Sequence, residues 1–520
     1  MHLVSASGPC FLSFIYHVAD AYFMSGASFF SEDFTGEKPV VKNGLCVICR
    51  GTKMMCGKER CPLMIKFYSR SRSMPLTDMK DLAGSSPPAV FVGRYGYPKV
   101  DIGPLLPGEF GDTSIMDKPE RWVGKSIDDI VDMRYRLVRG KYRIDATDFK
   151  KAGKIVTDVQ ELALTEKPVS VEANFRERPH GRIVLDDDIQ PFGPAARMEG
   201  LRKSNGRWEH NLEKNYYDTD LTATKGVIEA YRNGTLISEI QKAFSVGTMG
   251  IDKNRRFVPT RWSITAVDDI IGKDYLKRTR FYPVIDTYRV YYWEQLDNRW
   301  AILMMPTTWR FELIEAWYPG TSWNPAPPTP DGDNISIISD CEFFESRTEY
   351  AHIGGCYYAS RMAVNELLER EHRTAGAVIC REAHEGYVMP VGVWNVRENV
   401  RAALRTPPLR FGTMEAALDF IESKMDLKRE VWIRNSGVLT DWFTQRRLED
   451  FFGPSATNLY DDPSELPESE DPWGDWTFGR ETATADSSSS TTPMLGTGCM
   501  RWSNARRHWL LRDFPRWIIP

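Results

Sequence analysis

The chain has 520 residues, 42% hydrophobic and 12% aromatic, so it can bury sizeable cores and by length holds several domains. A formal net charge of -4 excludes a general polycation, and contact with nucleic acid then has to come from local patches or from a partner that holds the protein in place. The apolar run from Cys10 to Met24 is broken by His17 and Asp20 and lacks a basic leader, so it fits neither an export signal nor a membrane span and points to a cytoplasmic protein.

Residues 1–40 read as a poorly patterned leader. Next, in 41–75, LCVICRGTKMMCGKERCPL places Cys46, Cys49, Cys56 and Cys61 in a C-x2-C-x6-C-x4-C array. Thiolates are the soft ligands of a tetrahedral zinc site, and a C-x2-C pair brings two sulfurs to one ion from a tight turn. The window is too short for a core of its own, so metal binding would supply its folding energy. An iron-sulfur cluster uses the same donors, and a disulfide pair is disfavoured without an export signal. Arg50, Lys53, Lys58, Arg60, Lys66, Arg70 and Arg72 surround the array against Glu59 alone, which fits a phosphate-facing patch or a solvated face. The sequence SSPPAV marks a linker or loop.

A folded α+β region is expected over 88–325. Near its start, VGRYGYPKV alternates Arg94, Tyr95, Tyr97 and Lys99, cations and rings that can follow a strand and stack on bases. Ser126 with Asp129 makes a capping start for a helix carrying Ile127, Ile130, Val131, Leu137 and Val138, with Gly140 placed to end it. A helix from Thr222 to Asn233 stops at Gly234. Paired carboxylates in VPTRWSITAVDD, Asp268 and Asp269, with Arg261, Ser263 and the earlier Asp218 and Asp220, are the densest catalytic candidates. Read as a magnesium site, they would act on a phosphodiester or nucleotide with Arg261 on the phosphate. On a strand, however, adjacent carboxylates point to opposite faces, and capping or turn roles explain them equally. VYYWEQ and RWAILMM flank a turn at Asp297 and read as a hairpin, with RFELIEAW from Arg310 as a third strand.

The Pro- and Gly-rich stretch Asn324 to Asp333 reads as a boundary or long loop before a second α+β region, 334–444. There Arg361 to His372 and Met414 to Met425 are amphipathic helices, the latter capped by Thr413. His352 with Cys356 and Cys380 with His384 have spacings that permit a second metal site if the two halves meet, although a cysteine inside AGAVIC also suits a core. No G-x-G-x-x-G, P-loop or G-x-S-x-G elbow occurs.

In QRRLEDFF, residues 445–452, Gln445, Leu448, Phe451 and Phe452 share one side of a helical turn. The pattern resembles the peptide with which replication and repair proteins dock on the sliding clamp (PCNA); the same apolar spacing also suits a helix that closes a core. From 453 onward a flexible tail is expected, since Tyr460 to Asp486 holds nine acidic residues and one Arg, and Ser487 to Thr492 is a Ser/Thr run.

Several strings occur in one order: the cysteine array with CPL, VGRYGYPKVDIGPLLPGEFGDTS, LALTEKPVSVEANF, PFGPAARME, RRFVPTRWSITAVDD, FELIEAWYPGTSW, PVGVWNVREN and QRRLEDFF. Together, over roughly residues 45 to 452, they resemble the archaeal Nre family. The resemblance implies a DNA repair protein, associated with the nucleoid, that docks on the sliding clamp through Gln445, Leu448, Phe451 and Phe452. It also implies that Cys46, Cys49, Cys56 and Cys61 carry zinc. Two readings follow: a clamp-recruited adaptor touching DNA through Arg94, Tyr95, Tyr97 and Lys99, or an enzyme using Arg261, Ser263, Asp268 and Asp269.

Overall fold

Strict alternation in VSVEANF, Val169–Phe175, buries every second residue and leaves Ser170, Glu172 and Asn174 exposed, the mark of a strand with one wet face. The computed structural model describes residues 78–149, 153–180, 190–321, 323–324, 334–387 and 389–445, all within the second of two compact units, Lys66–Pro520. The four-cysteine array, Leu448, Phe451 and Phe452, the leader and the acidic tail lie outside the described residues.

Strands β1 (Asp81–Ser86), β2 (Val90–Val92), β3 (Lys99–Pro107), β4 (Leu137–Asp145), β5 (Val169–Phe175) and β6 (Ala195–Lys203) form one mixed sheet, ordered β1-β5-β6-β4-β3-β2. Only β4 and β6 run parallel in it. Helix α1 (Ile127–Tyr135) begins as expected, with Ser126 Oγ accepting from the Asp129 amide at 3.1 Å. It ends earlier than its apolar pattern suggests. Leu137 and Val138 are both fully buried but in different clusters on opposite faces of the sheet, which one helical stripe cannot achieve, and they open β4 instead. Gly140 therefore sits inside a strand and caps nothing. The backbones cross so closely here that a Cβ on Gly103 would lie 1.7 Å from the Gly140 carbonyl oxygen.

Helix α2 (Lys154–Leu164) lays Val156, Val159, Leu162 and Ala163 on one face of this sheet. Helices α3 (His210–Tyr217), α4 (Ala223–Arg232), α5 (Ile237–Ser245) and α6 (Thr260–Thr279) build a helical layer around Leu212, Val227, Ile240, Val267 and Ile271. The Thr222 hydroxyl caps α4, and Gly234, at φ +88°, turns the chain out of it, as the sequence predicts. Asp268 and Asp269 lie on α6, not on a strand. Residues all round this helix are buried, which hides the amphipathic period that would have announced it.

The second sheet contains β7 (Tyr288–Gln295), β8 (Asn298–Met305), β9 (Arg310–Trp317), β10 (Ser336–Glu342), β11 (Gly376–Ala383) and β12 (Leu409–Phe411), ordered β10-β9-β11-β8-β7-β12. The predicted hairpin is β7–β8, turning at Leu296 and Asp297 with φ of 54° and 53°, the left-handed pair that a two-residue turn requires. Strands β7 to β9 precede the segment 324–333 and β10 to β12 follow it, so regions 88–325 and 334–444 share a single sheet. Helix α7 (Gly355–Glu371) starts before Arg361, and α8 (Trp394–Arg405) follows it in the layer that, with α6, covers one face. On the other face pack α9 (Met414–Lys424), capped by Thr413, α10 (Arg429–Asn435) and α11 (Gly437–Thr444). Buried on both faces, β11 sends Ala377 and Ile379 into one cluster and Val378 and Cys380 into the other. Among the described residues no helix is long and apolar enough to cross a membrane.

Candidate functional site

In LVRGKYRID, the sequence of β4, Arg139, Lys141 and Arg143 fall at every second position and so project from one face of the strand. That face borders a cavity of about 350 Å³, within the range of small-molecule sites. Its other walls come from the β2–β3 turn with Arg94 and Tyr95, from α5 with Ser238, Gln241 and Lys242, and from the first turn of α6 with Thr260, Arg261 and Ile264. The edge of β2 is tied to α6 by the Val92 amide, which donates to Thr260 Oγ1 at 2.9 Å. No side chain caps the N-terminus of this twenty-residue helix, and Pro259, Thr260 and Arg261 at that positive end line the cavity.

Cations outnumber acids here. Asp117 is shared between Arg134 at 2.6 Å and Lys242 at 3.1 Å. Asp101 lies 3.4 Å from Arg143 and 3.6 Å from Arg197. The Arg139 guanidinium lies over the Phe192 ring at 3.8 Å and over Phe91 at 5.5 Å, and its Nε is buried without a hydrogen-bond partner. Burial, helped by the charge of Arg134, lowers the Arg139 pKa to about 10. Burial and then the neighbouring Arg139 also lower that of Lys141.

The expected Arg94, Tyr95, Tyr97 and Lys99 strip is a turn that divides its residues. Tyr95 is 74% exposed with the Arg94 guanidinium 5.0 Å above its ring, and both line the cavity. Tyr97 instead packs on Trp262 at 5.3 Å, and Lys99 is exposed at the start of β3. The basic triplet of β4 is legible in the sequence as alternate cations on a strand, but the helical apolar pattern that runs through Leu137 and Val138 masks it.

Of the catalytic candidates, only Arg261 lines the cavity. Ser263 Oγ donates to the Thr260 carbonyl at 2.9 Å. Asp268, fully buried, accepts from Arg397 Nη1 at 3.0 and 3.1 Å and from Gln241 Nε2 at 3.3 Å. Burial pushes its carboxyl up to about 6, against the pull of Arg397. Asp269 pairs with Arg361 and, at 2.9 Å, with Lys273. The two carboxylates therefore bind α6 to α8 and α7, and their oxygens are engaged by guanidinium groups, with no open coordination seat. Asp218 ends α3 and accepts from the Leu221 amide at 3.0 Å, while Asp220 is exposed.

The two cysteine–histidine halves do not meet, because Cys356 and Cys380 lie in clusters on opposite faces of the second sheet. Among the described residues the group of acids and histidines close enough to share an ion is Glu382, His384 and Asp426. Glu382 already accepts from the Leu427 amide at 2.8 Å and the Asp426 amide at 3.1 Å, and the His384 ring stacks on Tyr318 at 4.2 Å. This arrangement fastens β11 to the chain after α9 with groups that are already satisfied.

Fold and cavity define a mixed α and β protein in which a sheet and a helix terminus line one cationic cavity. The chain matches the family described as "Archaeal Nre, N-terminal" over residues 55–324 and "Archaeal Nre, C-terminal" over residues 342–451. It is 40% identical over 407 residues to "DNA repair protein NreB" of Archaeoglobus fulgidus, covering 78% of this chain and 99% of that protein. It is 34% identical over 384 residues to "DNA repair protein NreA" of the same organism, covering 74% and 94%. To "DNA repair protein NreA" of Haloferax volcanii it is 33% identical over 375 residues, covering 70% and 88%. The chain belongs to the archaeal Nre family. No solved structure matches it.

Proposed function

We propose that this chain is a DNA repair protein recruited to the replication sliding clamp (PCNA) through Gln445, Leu448, Phe451 and Phe452. Such tethering places it on nucleoid DNA. The observation that supports this most directly is the position of Gln445: α11 closes at Thr444, and Gln445 is exposed with extended backbone, so the eight-residue sequence begins at an accessible point just past the last described helix. Tethering raises local concentration, which lets a chain of net charge -4 act on DNA through the basic surface at Arg94, Tyr95 and β4. The four thiols Cys46, Cys49, Cys56 and Cys61 suit zinc as a donor set and would order the 41–75 segment. The enzymatic alternative through Asp268 and Asp269 has less support, because arginines occupy their oxygens.

The full-length protein should bind the clamp in calorimetric titration, and the Phe451→Ala/Phe452→Ala variant should lose that binding with its melting temperature unchanged. Equal binding by the variant would remove the peptide from the account. Metal analysis should find one zinc per chain, released in the Cys46→Ser/Cys49→Ser variant; retained zinc would mean that other residues hold it.

A further inference from the structure

The fold gives most buried cations of this protein a carboxylate, whereas half-buried Arg139 has no ion pair among the described residues. Arg361, Arg381 and Arg397 each meet a buried carboxylate at hydrogen-bond distance. Arg139 has a buried Nε without a hydrogen bond and two aromatic rings beside it. A cation withdrawn even partly from water with no anion beside it is disfavoured unless something else supplies the charge. The acids of the cavity are already engaged, Asp117 by Arg134 and Lys242, Asp101 by Arg143 and Arg197. Lys141 stands two residues along the same strand face and likewise has no ion pair among the described residues. The uncapped end of α6 adds amide donors and a positive dipole to the same space. Phe91, Tyr95, Phe192 and Ile264 give the cavity an apolar and aromatic wall, and its volume of about 350 Å³ suits an organic ligand rather than a bare inorganic ion.

We infer that this cavity binds one nucleotide, its phosphate held by Arg139, Lys141 and the first turn of α6 and its base against the aromatic wall. The ligand chemistry, a nucleoside phosphomonoester, has two sources: a free mononucleotide, or the phosphorylated terminus of a DNA strand. The inference deepens the DNA-contact part of the proposed function and is independent of the clamp peptide. A protein that binds the clamp but no phosphomonoester refutes this inference alone, and the reverse result refutes only tethering.

The test is calorimetric titration of the full-length protein, at one low salt concentration. The titrants are the four deoxynucleoside 5′-monophosphates, the matching nucleosides, inorganic phosphate, and a single-stranded oligodeoxynucleotide with and without a 5′-phosphate. At least one phosphorylated titrant should bind about tenfold or more tightly than both its unphosphorylated twin and inorganic phosphate. Arg139→Met and, separately, Lys141→Gln should each weaken it by about tenfold, with clamp binding unchanged. Preference for the phosphorylated oligonucleotide over every mononucleotide assigns the site to strand ends; the opposite preference assigns it to free nucleotides; either upholds the inference. Equal affinity with and without phosphate, inorganic phosphate matching the nucleotides, or both folded variants binding as wild type would overturn it.

Discussion

Two groups of cations lie near the same helix, one buried and one half-buried, and they differ in what completes them. At the middle of α6, Arg397 and Arg361 close on Asp268 and Asp269, and Arg361 also reaches Glu342 at 2.9 Å. At its N-terminus, the cavity gathers Arg139 and Lys141, neither of which has an ion pair among the described residues. Charge that is paired inside the protein fastens helices to each other, whereas charge left over at a cavity is a standing demand for an anion from outside. Residue type alone does not separate the two roles; the partner does.

The largest expected effect lies in the paired region. Arg397→Met leaves Asp268 enclosed without its cation, which should cost about 3–5 kcal/mol in a urea unfolding titration. A loss below about 1 kcal/mol would mean that Gln241 or water suffices, and the contrast between the two regions would weaken. For the same reason, lost activity in an Asp268→Asn variant would report on folding before chemistry.

An intermediate effect is expected with pH. Burial holds the Arg139 pKa at about 10, below the ordinary arginine value, and lowers that of Lys141 in the same sense, so both lose charge earlier than exposed cations as pH rises. Nucleotide affinity should therefore decline from neutral pH toward pH of about 10, more steeply than for a surface arginine site. Sign and linkage agree: the unfolded chain holds the Arg139 proton more tightly than the folded one, so its charge opposes folding and its removal should not destabilise. Affinity that stays flat over this range would show that neither group meets the phosphate. The smallest effect is Ser126→Ala, which removes the α1 cap at a residue that does not line the cavity. It should cost about 1 kcal/mol and leave nucleotide binding unchanged, making it a control for stability loss without ligand loss.

Local chemistry made much of the fold readable. Thr222 and Gly234 bounded α4, Thr413 started α9, and two residues between apolar runs set the β7–β8 hairpin. The family resemblance was readable too, because its strings keep their order along the chain. Packing decided the rest. Leu137 and Val138 continued a helical pattern but were needed on opposite faces of a sheet. Asp268 and Asp269 looked like a metal pair because nothing near them in sequence announced Arg397 and Arg361, which are distant along the chain. The cavity was hidden for the same reason, since β4, the β2–β3 turn, α5 and α6 meet only in the folded protein.

The contrast between paired and unpaired arginines is tested most directly by thermal unfolding of wild type and Arg139→Met, each with and without saturating deoxynucleoside monophosphates. Nucleotide should raise the melting temperature of wild type more than that of the variant, and the ligand-free variant should melt at or above the wild-type temperature. A variant that melts several degrees lower without ligand, or that gains as much from nucleotide as wild type does, would contradict the account.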